Sequence, residues 1–426
     1  MHKKLLFYLL IFTLPITISA QTYVLDTIQK EYPFINWKAN VIKMAEDSPA
    51  FKQLFCKLDT IAKGGEEDLH IFHIGGSHIQ ADIYSNRLRS YLQMMSPTAK
   101  GQRGFIYPFK MAKTNNPGNY RVKYDGDWSG YRCSVRKDSV AWGLSGITAV
   151  FKDSISHIKI SANGNNYHKK MYDFNKVRIF YDNWSKDYEI VFKEDSLVAA
   201  IKENEKAHFI EFTLNKTVDE IEFCIRKTKD YENAEFLMMG IELMNDNKGI
   251  EYTSIGVNGG SFSYYERCKF FNEQLALYTP DLFIVSIGTN DAYHPDFNPV
   301  SYKEHYTNLI KTIQKINPDC AVLLTVPNDS YYKKQFPNPR TRIARKVIYE
   351  VAKEQKMAVW DFYEIMGGFN SSKDWYQHKL MPKDRIHFTV TGYRIKADLL
   401  LQALVHSWEN TLQLTSNSIL NQIINE

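Results

Sequence analysis

Serine, histidine, aspartate and asparagine recur in this chain at turns where such side chains could carry out acyl transfer. The run Leu69-His70-Ile71-Phe72-His73-Ile74 is apolar and rich in β-formers, and it ends in Gly75-Gly76-Ser77-His78. A helical pattern follows from Ala81 to Met95, so the segment reads as strand, tight turn, helix. Such a turn leaves the first N–H groups of the helix free and its end partly positive. Ser77 would there present a hydroxyl as nucleophile and its own N–H as an oxyanion donor. A serine at this place also suits a helix N-cap, so the segment needs companions before it implies catalysis.

Three later turns supply them. Ser254–Ser261 contains Gly259-Gly260, Leu282–Ile287 runs into Gly288-Thr289-Asn290-Asp291, and Asp384-Arg385-Ile386-His387 precedes a last helical pattern. His387 would be the general base and then the acid for the leaving group, with Asp384 fixing the imidazole tautomer. The Ser77 N–H, the Gly259 N–H and the Asn290 amide would form an oxyanion hole of three donors. Taken singly, each has a simpler reading. The glycine pair suits a loop needing positive φ, Asn290 suits a turn with a cap, and Asp384 with His387 suits a surface salt bridge. What joins them is their order at the ends of successive strands, where open α/β sheets place their sites. His70 and His73 fall on opposite faces of a strand and read as structural. No C-x-x-C, zinc-protease, P-loop, dinucleotide or G-x-S-x-G signature is present, and neither metal nor organic cofactor is expected.

The elements that must hold these turns alternate. Helical spacing marks residues 21–62, clearest at Phe51, Leu54, Phe55 and Leu58. After the first strand and helix comes the glycine-punctuated loop Gly101–Phe105. From 252 onward strands at Leu282–Ile287, Ala321–Val326 and Ala358–Asp361 alternate with helical stretches at Tyr264–Tyr278, Tyr302–Ile316, Arg342–Gln355 and Val390–Trp408. That alternation implies a parallel sheet with helices on both faces. Between about 111 and 247 the texture is different. His157–Ser161, Val177–Tyr181, Tyr188–Phe192, His208–Leu214 and Glu220–Ile225 are short, β-branched or aromatic, and separated by polar turns. They imply an inserted β-sandwich.

With 426 residues the chain is long enough for two or three domains. Its net charge of +5 falls to +3 without Lys3 and Lys4, too little to indicate nucleic acid. Residues 1–20 read as a secretory signal peptide: Lys3 and Lys4, the apolar Leu5–Ile16, then small residues to Ala20. No other segment is long and apolar enough to span a membrane, so the mature chain is expected to be exported and soluble. Cys56, Cys133, Cys224, Cys268 and Cys320 are odd in number, so at least one is unpaired or inert. The expected divisions are 1–20, 21–110 (lead-in and first part of the α/β unit), 111–247 (β-sandwich) and 248–426 (second part and tail).

Gly75-Gly76-Ser77, Ser254–Ser261, Gly288–Asp291 and Asp384–His387 resemble the four blocks of the SGNH (GDSL-type) hydrolases, over most of 65–110 and 250–406. Gly76 departs from the family's Gly-Asp-Ser and removes a hydrogen-bonding side chain from the turn. Ser77-His78-Ile79-Gln80-Ala81-Asp82, a Gly240-Ile241 turn, and Trp360-Asp361 with Met366-Gly367-Gly368 are similar to bacterial peptidoglycan O-acetylesterases that carry an inserted β-sandwich. The resemblance implies a three-layer, flavodoxin-like fold, catalytic Ser77, Asp384 and His387, and an acyl-serine route without cofactor. It also implies an acetylated polysaccharide as substrate. The insert would resemble a carbohydrate-binding module. Its Trp128, Tyr131, Trp142, Tyr181 and Trp184 suit either sugar stacking or a core. Rival readings are another acylated glycan, a lipid ester, or a catalytically weakened glycan-binding protein.

Overall fold

Neighbouring residues Ile71 and Phe72 are both fully buried, so the strand that carries them must be covered on both faces. A computed structural model describes residues 28–416 except 46, 165–171, 184–185 and 230–232, together with 419, 420 and 423. The leader expected at 1–20 and Trp184 lie outside the described residues. Six strands form the central sheet: β1 Ile42–Lys43, β2 Asp68–Gly75, β3 Gly249–Gly256, β4 Leu282–Ser286, β5 Ala321–Thr325 and β6 Ala358–Trp360. Their order is β1-β6-β5-β4-β2-β3. Strands β2 to β6 are parallel, in the flavodoxin-like order whose switch point falls between β2 and β4.

The alternation along each strand sorts its side chains into two cores. Leu69 and Ile71 join Tyr84, Trp360 and residues of the helices Pro49–Ala62, Tyr84–Met94 and Val390–Thr411. Phe72 and Ile74 face the opposite way, onto the helices Pro299–Ile316 and Arg340–Gln355. The second core runs on without interruption into the β block.

That block is all antiparallel. One sheet has Val198–Asn204, Phe209–Val218, Phe174–Asp182, Phe236–Met244, Ile147–Phe151 and Trp128–Arg132 in order, with Gly104–Ile106 paired to Phe236–Met244. The other has Arg121–Tyr124, Ile155–Ser161, Glu220–Lys227 and Tyr188–Phe192. Phe192 of the second sheet meets Phe212 of the first at 4.7 Å between ring centroids, so the two sheets close on one core.

Several expected elements are corrected. The helix expected at Ala81–Met95 is two, Ser77–Gln80 and Tyr84–Met94, because Asp82 takes a φ of +44° at the break. There the buried Asp82 carboxylate meets the Arg89 guanidinium at 3.2 Å. Within residues 21–62, β1 is an edge strand antiparallel to β6. Tyr264–Tyr278 holds two short helices, Phe262–Tyr265 and Phe271–Leu275. Gly240-Ile241 is no turn but the site of a register shift inside Phe236–Met244, where a side chain at 240 would run into the Phe105 ring. Two short helices, Phe362–Ile365 and Ser372–Gln377, occupy what reads as a long loop before Asp384.

Candidate active site

Ser77 opens its short helix directly after β2 and Gly76. Gly75 is paired with Ser286 on β4 and with Gly256 on β3, so the turn stands at the C-terminal ends of three adjacent strands. The Ser77 Oγ lies 2.9 Å from His387 Nε2. On the other side of the ring, His387 Nδ1 lies 2.9 Å from Asp384 Oδ2. The second carboxylate oxygen accepts the backbone N–H groups of Ile386 and His387 at 2.9 and 3.1 Å. Arg385, at a φ of +52°, closes that turn. A spacing of three residues therefore lets one carboxylate cap its own loop and hold the imidazole. Burial raises the Asp384 pKa, but the hydrogen bond from His387 and those from the two backbone N–H groups outweigh it and lower it to about 2. An ionised Asp384 can only accept, so Nδ1 carries the proton and Nε2 is left to accept from Ser77.

The other two turns close on the first. Gly259 has a φ of +79°, which favours glycine. The Asn290 Nδ2 donates to the Gly260 carbonyl at 2.9 Å, which uses one of its two hydrogens. A Cβ placed on Gly76 would lie 3.0 Å from that same Nδ2 and 3.4 Å from the Gly260 carbonyl oxygen. Where the family carries Asp, this chain thus sets the Asn290 amide against a bare backbone. The N–H groups of Ser77 and Gly259 meet no acceptor among the described residues. Residue Gly288, with a φ of +137°, permits the close turn before Asn290, since a Cβ there would fall on the Tyr302 hydroxyl. Losing the Asn290 donor is expected to lower kcat by about 10²–10³-fold. Steady-state kinetics of Asn290→Ala on a small acetyl ester check this, and a change below threefold would remove Asn290 from the oxyanion hole.

Residues without an expected catalytic role surround these four turns. His78 is buried, with Nδ1 3.0 Å from the Tyr393 hydroxyl and its ring 5.3 Å from that of His387. Burial, then the nearby positive charge of Lys396, hold its pKa well below the ordinary value, so it backs the His387 ring as a neutral group. Lys396 is itself buried among Phe362, Tyr84 and Phe388, at 4.4, 5.1 and 5.6 Å from the ring centroids, and burial lowers its pKa to about 7. His78 lies beside Ser77 in sequence, and that adjacency is the one signal that could have marked it. His73 is fully buried between the Tyr252 and Ser286 hydroxyls, both at 2.7 Å. His70 lies between the Tyr278 carbonyl and Thr253. Both are structural, as their spacing implies.

Asp291 joins two of the turns, its Oδ1 accepting from the Phe262 N–H at 3.2 Å while Oδ2 is buried without a partner. Burial raises its pKa from 3.8 to about 7, against the smaller opposing effect of the backbone N–H groups. The folded chain therefore holds this proton where the unfolded chain releases it. The associated stability is complete below pH 3.8 and is lost as the pH rises through about 7. Asp291→Asn is expected to raise the melting temperature at pH 8, with a gain that shrinks toward pH 4. A gain independent of pH in a melting series would contradict it.

An open cleft of about 690 Å³ runs from Asn290 past Ser261, Tyr264 and His294 to Arg136 of the β block. Of the aromatic residues considered for sugar stacking, Trp128 and Trp142 are buried. Trp128 stacks on Phe151 at 4.9 Å and donates to Ser156, and both tryptophans are core. Tyr131 and Tyr181 are half-buried, the latter stacked on Phe236. Among the described residues no cluster of three His, Cys, Asp or Glu side chains could hold a metal ion.

Residues 242–395 match the model of the GDSL-like Lipase/Acylhydrolase family. The chain carries a GDSL-like acylhydrolase domain. Its chemistry is carboxylic-ester hydrolysis. The matched stretch contains Gly259, Asn290, Asp384 and His387 but not Ser77. That residue lies before the β block, and the fold returns it to the acylhydrolase domain because β2 sits between β3 and β4. A solved peptidoglycan O-acetylesterase shares the fold, at 20% identity and a TM-score of 0.66, over 87% of this chain and 99% of its own. A solved acetyl xylan esterase matches 36% of this chain and 81% of its own, at 20% identity and a TM-score of 0.31. An acetylxylan esterase from Geobacillus stearothermophilus matches 40% and 76%, at 19% identity and a TM-score of 0.30. No curated protein matches the chain by sequence. No helix among the described residues is long and apolar enough to cross a membrane.

Proposed function

We propose that this acylhydrolase is an exported serine esterase that removes O-acetyl groups from a polysaccharide, with peptidoglycan as the substrate. The observation that carries the reading is the unbroken line Ser77 Oγ, His387 Nε2, His387 Nδ1, Asp384 Oδ2, with 2.9 Å at each hydrogen bond. His387 Nε2 takes the proton as Ser77 Oγ attacks the acetyl carbonyl carbon. Negative charge gathers on the former carbonyl oxygen, facing the N–H groups of Ser77 and Gly259 and the free Asn290 amide hydrogen. As the tetrahedral species collapses, the C–O bond to the sugar breaks and His387 returns its proton to the sugar oxygen. Water then gives a proton to His387 as it attacks the acetyl carbon, the bond from that carbon to Ser77 Oγ breaks as His387 returns the proton to Oγ, and acetate leaves.

The choice of polysaccharide rests on the peptidoglycan O-acetylesterase that shares the fold over nearly its whole length. Export rests on the leader read at 1–20. The divisions 21–110, 111–247 and 248–426 are part of the same proposal, with 111–247 as the insert that meets the glycan. The test is acetate release by residues 21–426 from O-acetylated peptidoglycan, from acetylated xylan and from p-nitrophenyl acetate. A kcat/KM highest on peptidoglycan is expected. Preference for xylan would discard the substrate and keep the reaction, while Ser77-independent release from all three would discard the site.

A further inference from the structure

One peptide unit joins Asn258 to Gly259. It carries the Asn258 carbonyl and the Gly259 N–H, which a trans planar peptide points in opposite directions. Whatever fixes the carbonyl therefore aims the N–H. The Ser134 hydroxyl donates to the Asn258 carbonyl at 2.7 Å, and a Cβ added to Gly259 would lie 3.5 Å from the Ser134 Cβ. Ser134 belongs to the β block, in the turn that follows its strand Trp128–Arg132. That turn is clamped to the acylhydrolase domain by Arg267, whose guanidinium donates to the carbonyls of Cys133, Val135 and Asp138 at 2.5, 3.1 and 2.5 Å. From the other side, the Asn258 N–H donates to Gln80 Oε1 at 2.7 Å, and Gln80 ends the short helix that Ser77 begins. The Asn258 side chain reaches Asn115 Oδ1 at 3.0 Å.

We propose that Ser134 is a positioning residue for ester hydrolysis, holding the Asn258–Gly259 peptide so that its N–H faces the oxyanion. The proposal rests on the role given above to Gly259. It makes the inserted β block part of the catalytic apparatus, whatever contact it also makes with a glycan. Two physical reasons support it. Glycine at 259 offers little steric resistance to rotation of that peptide, so an external tether is needed. A hydrogen bond received at the carbonyl also polarises the same amide and strengthens its N–H as a donor.

The test uses p-nitrophenyl acetate, whose small acyl and leaving groups do not require glycan recognition. Ser134→Ala is expected to lower kcat about tenfold, part of the loss expected for a missing oxyanion donor, with KM and melting temperature unchanged. Ser134→Thr keeps the hydroxyl and is expected to restore kcat. A kcat for Ser134→Ala within twofold of the parent would overturn the proposal. So would a loss that tracks the melting temperature and is not regained with threonine. Turnover that persists in Ser77→Ala would instead overturn the assignment of the site, and this proposal with it.

Discussion

Ser77→Ala is expected to lower kcat by about 10⁶-fold, the scale seen when a serine nucleophile is removed from a complete triad. The substitution deletes one oxygen and keeps the Cβ and the backbone that opens the helix. Among the described residues Ser77 Oγ has one partner, His387 Nε2, so its loss unpairs a nitrogen of a ring that is 40% exposed. No core contact depends on it, and the melting temperature should move little. Residual activity of about 10³–10⁴ over water would come from the remaining donors and from binding. Steady-state rates on p-nitrophenyl acetate measure this, and a loss smaller than tenfold would show that Ser77 is not the nucleophile.

The second large effect is expected from Asp384→Asn, about 10⁴-fold in kcat. An asparagine can still accept from Ile386 and His387 N–H through Oδ1, so the turn around Arg385 should survive. At the other oxygen it places an NH₂ group against His387 Nδ1. That nitrogen must then accept, which moves the ring proton to Nε2, where it can no longer receive the proton of Ser77. The loss should thus come from the wrong tautomer in an intact fold. A kcat within tenfold of the parent would mean that Asp384 serves only to cap its loop. Because the Asp384 pKa lies at about 2, its stabilising contribution is complete above the unfolded value of 3.8 and is lost as the pH falls toward 2. Titration of Asp384 therefore lies below any decline in activity near neutral pH.

Much of this site is legible in the chain because its geometry is local. Asp384 and His387 are three apart and close their own turn. Ser77 follows two glycines at a strand end, and Asn290 follows Gly288, whose positive φ only a glycine tolerates easily. The parallel sheet is legible because strands and helical stretches alternate from 252 onward, which places helices on both faces. What escapes reading is held together across the chain. Ile42–Lys43 is two residues long, too short for any periodicity, and is a strand only because β6 offers it an edge. Asp82 breaks a helix that its neighbours favour, with two buried arginines beside it, Arg89 at 3.2 Å and Arg103 at 3.8 Å. Ser134 is an ordinary serine in a polar turn, and its partner Asn258 is 124 residues away. The insertion itself hides the first block from the rest, since the family match begins at 242, far from Ser77. Nor do Trp128 and Trp142 announce themselves as core, because aromatic residues on a β-sandwich serve cores and sugar sites alike.

The most direct test of acyl transfer through Ser77 is titration with a p-nitrophenyl phosphonate ester, followed by peptide mass analysis. The chemistry proposed here predicts one phosphonyl group per chain, on the peptide containing Ser77, with activity lost in proportion to labelling and no labelling in His387→Ala on the same time scale. Inactivation with the label elsewhere, or full activity after Ser77 is labelled, would contradict it.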